Sequence, residues 1–257
     1  ESPASAHDQY SSESVLAYAR AAGYKIYWLS NQDDSYLSSL FGSYADTAVY
    51  KNTRSGRSSH SLDEKLIPVY QQALADPDPK KLIILHLIGA HPNYKERYSL
   101  AFNKFTGDSN DAVELDLKNR NIDPWVRSLR NDYDNAVLYE DSLLARFLDD
   151  LKADNNSDFR SFMVVSDHGN EVGHEIDYAG HSPNTKAGYQ VPVIMWHDNM
   201  QVTGVNKDKM LNTAELDNNL MHIMGLKNKT ASPQSYWLDR DYRFTPEVNW
   251  PYWQNKS

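Results

Sequence analysis

Four short apolar runs constrain this chain more than any other feature: Lys25–Ser30 (KIYWLS), Lys81–Leu87 (KLIILHL), Ser161–Ser166 (SFMVVS) and Val191–Trp196 (VPVIMW). They are strand-length, and their near-continuous apolar character is that of strands covered on both faces. Segments of helical period alternate with them. Ser14–Ala22 reads as a helix that stops at Gly23, and Leu62–Ala75 as one that stops at the Asp76-Pro77-Asp78-Pro79 breaker. Asp123 and Pro124 supply an N-cap and an N1 proline for a long helix. It carries Trp125, Leu129, Tyr133, Val137, Leu144, Phe147 and Leu151 on one broad face and is expected to cross the whole sheet. A further helix is expected near Thr213–Leu226, then a Trp-, Pro- and Tyr-rich tail from Ser235, while Asp108–Ile122 is polar and weakly patterned. The alternation predicts an α/β fold in a single domain, with a mostly parallel central sheet flanked by helices on both faces.

Composition narrows the function classes. With 257 residues, 40% of them hydrophobic, the chain can bury one large core. A net charge of -9 with no basic cluster argues against a nucleic-acid partner. No run approaches the roughly 20 apolar residues of a transmembrane helix. Glu1–Ser14 is polar and reads as a loop, so residue 1 is expected to be a processing boundary rather than a natural start. The chain has no cysteine. A transition metal must therefore be held by His, Asp or Glu.

In open α/β sheets ligands gather at the carboxyl ends of strands. Asp167-His168 follows the Ser161–Ser166 run directly, setting a carboxylate and an imidazole side by side before Gly169. Both are ordinary zinc ligands. Taken alone, the pair reads equally well as a turn cap beside a merely polar histidine. A second place is His91, lifted toward the same rim by Gly89 and Ala90, whereas His86 inside the strand reads as structural. The third is the loop carrying Glu171, His174, Glu175 and His181, where Ala179–Pro183 is able to fold back over the site.

These residues resemble a known family. Val165-Ser166-Asp167-His168-Gly169 followed by Gly180-His181 resembles the alkaline phosphatase and sulfatase superfamily. The segments Ala22–Gln32, His86–His91 and Tyr133–Tyr139 narrow the resemblance to its phosphoethanolamine transferases. The resemblance implies that Asp167 and His168 are zinc ligands. It implies that His91 and His181 bind a second zinc or the transferred phosphate group, and that Asn31 helps to hold the ethanolamine or phosphate end of the donor. It also implies phosphatidylethanolamine as donor and lipopolysaccharide (lipid A or core) or a periplasmic glycan as acceptor. The place of action would be the periplasmic face of the bacterial inner membrane, with attachment through N-terminal transmembrane helices.

Family members also carry a glutamate ligand and a threonine nucleophile upstream of the segment matching Ser14–Asn31. None of Ser11, Ser12 or Thr47 stands in such a context. The expectation is a catalytic domain without its nucleophile, inactive alone and lacking a strand near the sheet centre, whose loss would expose an apolar edge. Two other readings share part of the pattern. A hydrolase of sulfate or phosphate esters, or a glycerol-phosphate transferase, would carry the same Asp167-His168-Gly169, but the Tyr24–Gln32 and His86–His91 segments weigh against it. A non-catalytic binding domain would suit the absent nucleophile; the joint presence of Asp167, His168, His91 and His181 favours the enzyme.

Overall fold

A computed structural model describes residues 14–32, 35–52, 60–108, 111–199, 209–227 and 235–245. Ser11, Ser12 and the tail beyond 245 lie outside the described residues. The run at Lys25–Ser30 is strand β1, the centre of a three-stranded parallel sheet in the order β2-β1-β3. Its partners are β2 (Thr47–Tyr50) and β3 (Lys81–His86), with Tyr27 opposite Thr47 on one side and Ile83 on the other.

Alternate residues of this sheet point to opposite faces, and each face has its own helices. Tyr27 and Leu29 pack with Tyr70 and Leu74 of α3 (Ile67–Ala75) and with Ala136, Tyr139, Leu143 and Phe147 of α5 (Pro124–Ala153). On the other face Ile26 packs with Leu16 and Ala19 of α1 (Val15–Ala21), and with Phe41 at the end of α2 (Ser35–Phe41). Met224, just after α6 (Leu216–Ile223), joins that second cluster. The helices therefore flank the sheet as expected.

Three details differ from the sequence reading. β4 (Ser161–Val165) and β7 (Val193–His197) pair antiparallel in a sheet of their own, Met163 opposite Met195, rather than extending the parallel one. An apolar strand looks the same in either direction, and the 166–192 connection supplies no crossover helix to bring β7 back parallel. On α5 the buried stripe is Val126, Ala136, Tyr139, Leu143 and Phe147, whereas Trp125 is 66% exposed and Val137 42%. The broad apolar face expected from the sequence includes residues of both kinds, but a period of 3.6 turns Val137 away from Ala136 and Tyr139. Within Asp108–Ile122 lies a helix, α4 (Ala112–Asn119). Asp111 caps it, its carboxylate accepting from the Val113 and Glu114 amides at 2.8 and 3.4 Å, and Leu117 is its buried anchor.

Candidate metal centre

β4 ends at Val165 and delivers Ser166-Asp167-His168-Gly169 at its carboxyl end. Ser166 Oγ donates to the His168 carbonyl at 2.8 Å, and the His168 amide donates to Asp167 Oδ1 at 2.9 Å, so the turn is held by its own polar groups. The Asp167 side chain is 87% exposed and that of His168 35%. His168 Nδ1 lies 3.0 Å from the Gly169 carbonyl. A carbonyl only accepts, so Nδ1 carries the proton and Nε2 the lone pair, the tautomer a metal-binding imidazole needs.

Gly169 makes this turn possible. A Cβ there would sit 2.1 Å from the Ala187 carbonyl oxygen and 2.9 Å from that of Gln190, while the Gly169 amide donates to Gly188 at 3.0 Å. The chain then forms a two-stranded hairpin of β5 (Glu171–Val172) and β6 (Ala179–Gly180), with Glu171 opposite Gly180. The return leg brings His181 back so that its ring centroid is 4.1 Å from that of His168. Asp167, His168 and His181 are thus gathered at one rim.

His91 reaches the neighbourhood by another route. Asn170 Nδ2 donates to the Ala90 carbonyl at 3.2 Å, tying the turn after β3 to the segment after β4. His91 Nδ1 is 3.1 Å from the Pro92 carbonyl and so is the protonated nitrogen. Asn31 is placed differently. It is fully buried, Nδ2 donating to Ser61 O at 3.2 Å and Asp63 Oδ1 at 2.8 Å, and Oδ1 accepting from Ser61 Oγ at 2.7 Å. Both ends of its amide are taken up inside the protein. His86 packs against Trp28 at 5.2 Å and shares a 3.0 Å hydrogen bond with Ser30 Oγ, which fits its structural reading.

The other polar residues of the 171–181 loop brace it. The fully buried Glu171 accepts from the Glu175 amide at 3.0 Å, and Glu175 from the Ala187 amide at 3.2 Å. His174 Nδ1 faces Arg130 Nη1 at 3.2 Å, and Arg120 Nη2 donates to the Gly173 and His174 carbonyls at 2.8 and 3.0 Å. Burial, then the positive charge of Arg130, pushes the His174 imidazole below its ordinary range. Arg120 and Arg130 went unnoticed in the sequence because arginines on helical segments ordinarily read as a solvated face.

The donor chemistry at the rim, carboxylate oxygen and imidazole nitrogen without thiolate, suits zinc. The number falls short: among the described residues no group of three or more His, Asp or Glu converges to hold a metal. Asp167 and His168 by themselves would make up only half of a tetrahedral protein shell.

Comparison with known proteins gives the family of the chain. The profile of the sulfatase family matches residues 2–226. The chain belongs to the sulfatase family. Among curated relatives of this sulfatase-family chain, phosphoethanolamine transferase EptC of Escherichia coli K12 is 30% identical over 257 residues, covering 94% of this chain and 43% of EptC. Phosphoethanolamine transferase CptA of Salmonella typhimurium is 33% identical over 71% of this chain and 32% of CptA. The chain therefore spans less than half the length of these relatives. In three dimensions it is similar to the C-terminal periplasmic domain of EptC from Escherichia coli in complex with Zn, with a TM-score of 0.78 and 28% identity, covering 92% of this chain and 68% of that one. Among the described residues no helix is long and apolar enough to cross a membrane.

Proposed function

We propose that this sulfatase-family chain is part of the catalytic domain of a zinc-dependent phosphoethanolamine transferase. The donor is phosphatidylethanolamine and the acceptor lipopolysaccharide, at lipid A or core, or a periplasmic glycan. The reaction takes place at the periplasmic face of the bacterial inner membrane. The observation that carries the reading is the place of Asp167-His168 at the end of β4, with the His168 and His181 imidazole rings 4.1 Å apart. Likeness to a periplasmic transferase domain in complex with Zn supports it further.

Asp167 would hold the metal through its exposed carboxylate and His168 through Nε2. When bound, zinc supplies Lewis acidity toward phosphate oxygens. His181 and His91 are suited to neutralising non-bridging oxygens of the transferred group or holding a proton during transfer. Asn31, enclosed between Ser61 and Asp63, serves the site by bracing rather than by touching the donor. The aligned region covers 43% of EptC.

The test is zinc content and affinity, by metal analysis and chelator competition, for the chain and for Asp167→Ala and His168→Ala. Stoichiometric zinc in the parent and a loss of about tenfold or more in affinity in each variant is the expected result. Unchanged affinity in both variants would mean that these residues are not the ligands.

A further inference from the structure

Asp63 is 4% exposed and lies in the 3-10 turn Asp63–Leu66 that leads into α3. Its Oδ1 accepts from the Ile88 amide at 3.0 Å and from Asn31 Nδ2 at 2.8 Å, and its Oδ2 accepts from the Gly89 amide at 2.9 Å. Ile88 and Gly89 begin the turn that carries His91, and Gly89 has φ +59, a left-handed conformation that most residues avoid. The far side of the same turn is held at the Ala90 carbonyl by Asn170, next to the Asp167-His168-Gly169 segment. His91 itself precedes Pro92, which restricts its backbone to extended conformations. The short path from β3 to His91 is therefore pinned at Ile88, Gly89 and Ala90.

A buried carboxylate is a costly way to fill space, since removing its charge from water carries a penalty of several kcal/mol. Two oxygens, however, accept three donors at once here, including two successive backbone amides. A neutral side chain of this size cannot do so: asparagine has a single acceptor oxygen, and its amide nitrogen would face another donor. We propose that Asp63 is a positioning residue, fixing the Ile88-Gly89 turn so that His91 is delivered to the rim where Asp167, His168 and His181 meet. Asn31 is the second member of the device, orienting the carboxylate from the end of β1.

What His91 does at the rim rests on the proposed function; where Asp63 puts it does not. The experiment is amide hydrogen exchange together with the nitrogen chemical shifts of His91 and His181, by NMR, on the 257-residue chain and on Asp63→Ala and Asp63→Asn. Asp63→Ala is expected to speed exchange at Ile88 and Gly89 by about ten- to a hundredfold. His91 should then pass from one tautomer to an average of two, while Ile83–Leu85 of β3 and the His181 tautomer stay as they were. Asp63→Asn should protect only one of the two amides, and it carries the same comparison if the alanine variant does not fold. Unchanged exchange at Ile88 and Gly89 in the variants overturns the proposal. So does an equal loss across β3, which would make Asp63 a core residue and no more. Failure of the transferase reading registers elsewhere: His91→Gln would leave the affinity of the zinc-loaded chain for inorganic phosphate unchanged, with the Asp63 result intact.

Discussion

At the scale of single residues, Gly169 joins the backbone to the chemistry of the rim. The absence of a side chain lets the Asp167-His168 turn lie against the Ala187 and Gln190 carbonyls, and any Cβ must displace backbone, not a pliable side chain. Gly169→Ala is predicted to cost about 1–3 kcal/mol, as overpacking against a fixed wall does, and to shift His168 away from His181. Thermal melts and zinc titration of the same variant check both parts; an unaltered melting point would mean that the 186–190 segment yields freely. Much of this was legible beforehand. The place of Asp167 and His168 at the carboxyl end of a strand was readable because the apolar run Ser161–Ser166 ends directly before them. The setting of Asn31 was not, since an asparagine after a strand looks the same whether its amide meets a ligand or a neighbouring loop. Only the tertiary fold brings Ser61 and Asp63 to both ends of it.

At the scale of elements, β1, β3 and β4 fall within a residue or so of their apolar runs, but only β1 is covered on both faces as the apolar pattern predicts; β3 and β4 are half-buried. α5 begins at Pro124, where Asp123 Oδ1 accepts from the Trp125 amide at 2.7 Å. α4 escaped notice although its cap was visible, since Glu114, Asp116 and Lys118 dilute the apolar period of an element that buries only one face. Glu114 is itself buried, within 3.1 Å of Arg127 and 3.2 Å of Lys118, so a charged residue stands where the pattern needs an apolar one. Asp111→Ala is predicted to destabilise α4 by about 1 kcal/mol, the usual value of a lost N-cap. The loss should register as faster amide exchange at Val113 and Glu114 with little change in β1; equal loosening of both would refute a local effect.

At the scale of the whole molecule, α5 links the two halves: Ala136, Tyr139 and Phe147 share one core with β1, α3 and, at its margin, Phe162 of β4. Glu140 on the same helix couples that core to pH. Burial, and then the nearby charge of Asp63, pushes its carboxyl from 4.5 up to about 8. The folded chain therefore keeps this proton to higher pH than the unfolded chain, and stability falls as pH rises from about 4.5 to about 8. Glu140→Gln is predicted to leave stability near pH 4.5 almost unchanged and to raise it toward pH 8, by on the order of 1–3 kcal/mol. Denaturant melts at the two pH values measure this, and a constant difference between them would rule it out. The sequence by itself determined the α/β class, the order of the apolar strands and which side chains have metal-ligand chemistry, because these depend on local periodicity and on side-chain chemistry. The tertiary structure alone decided that β7 runs antiparallel to β4, that His181 returns to His168, and that Asp63 grips the turn before His91. Each of these depends on which distant segments share space, a matter settled by packing and by the satisfaction of buried polar groups, to which a local pattern is blind.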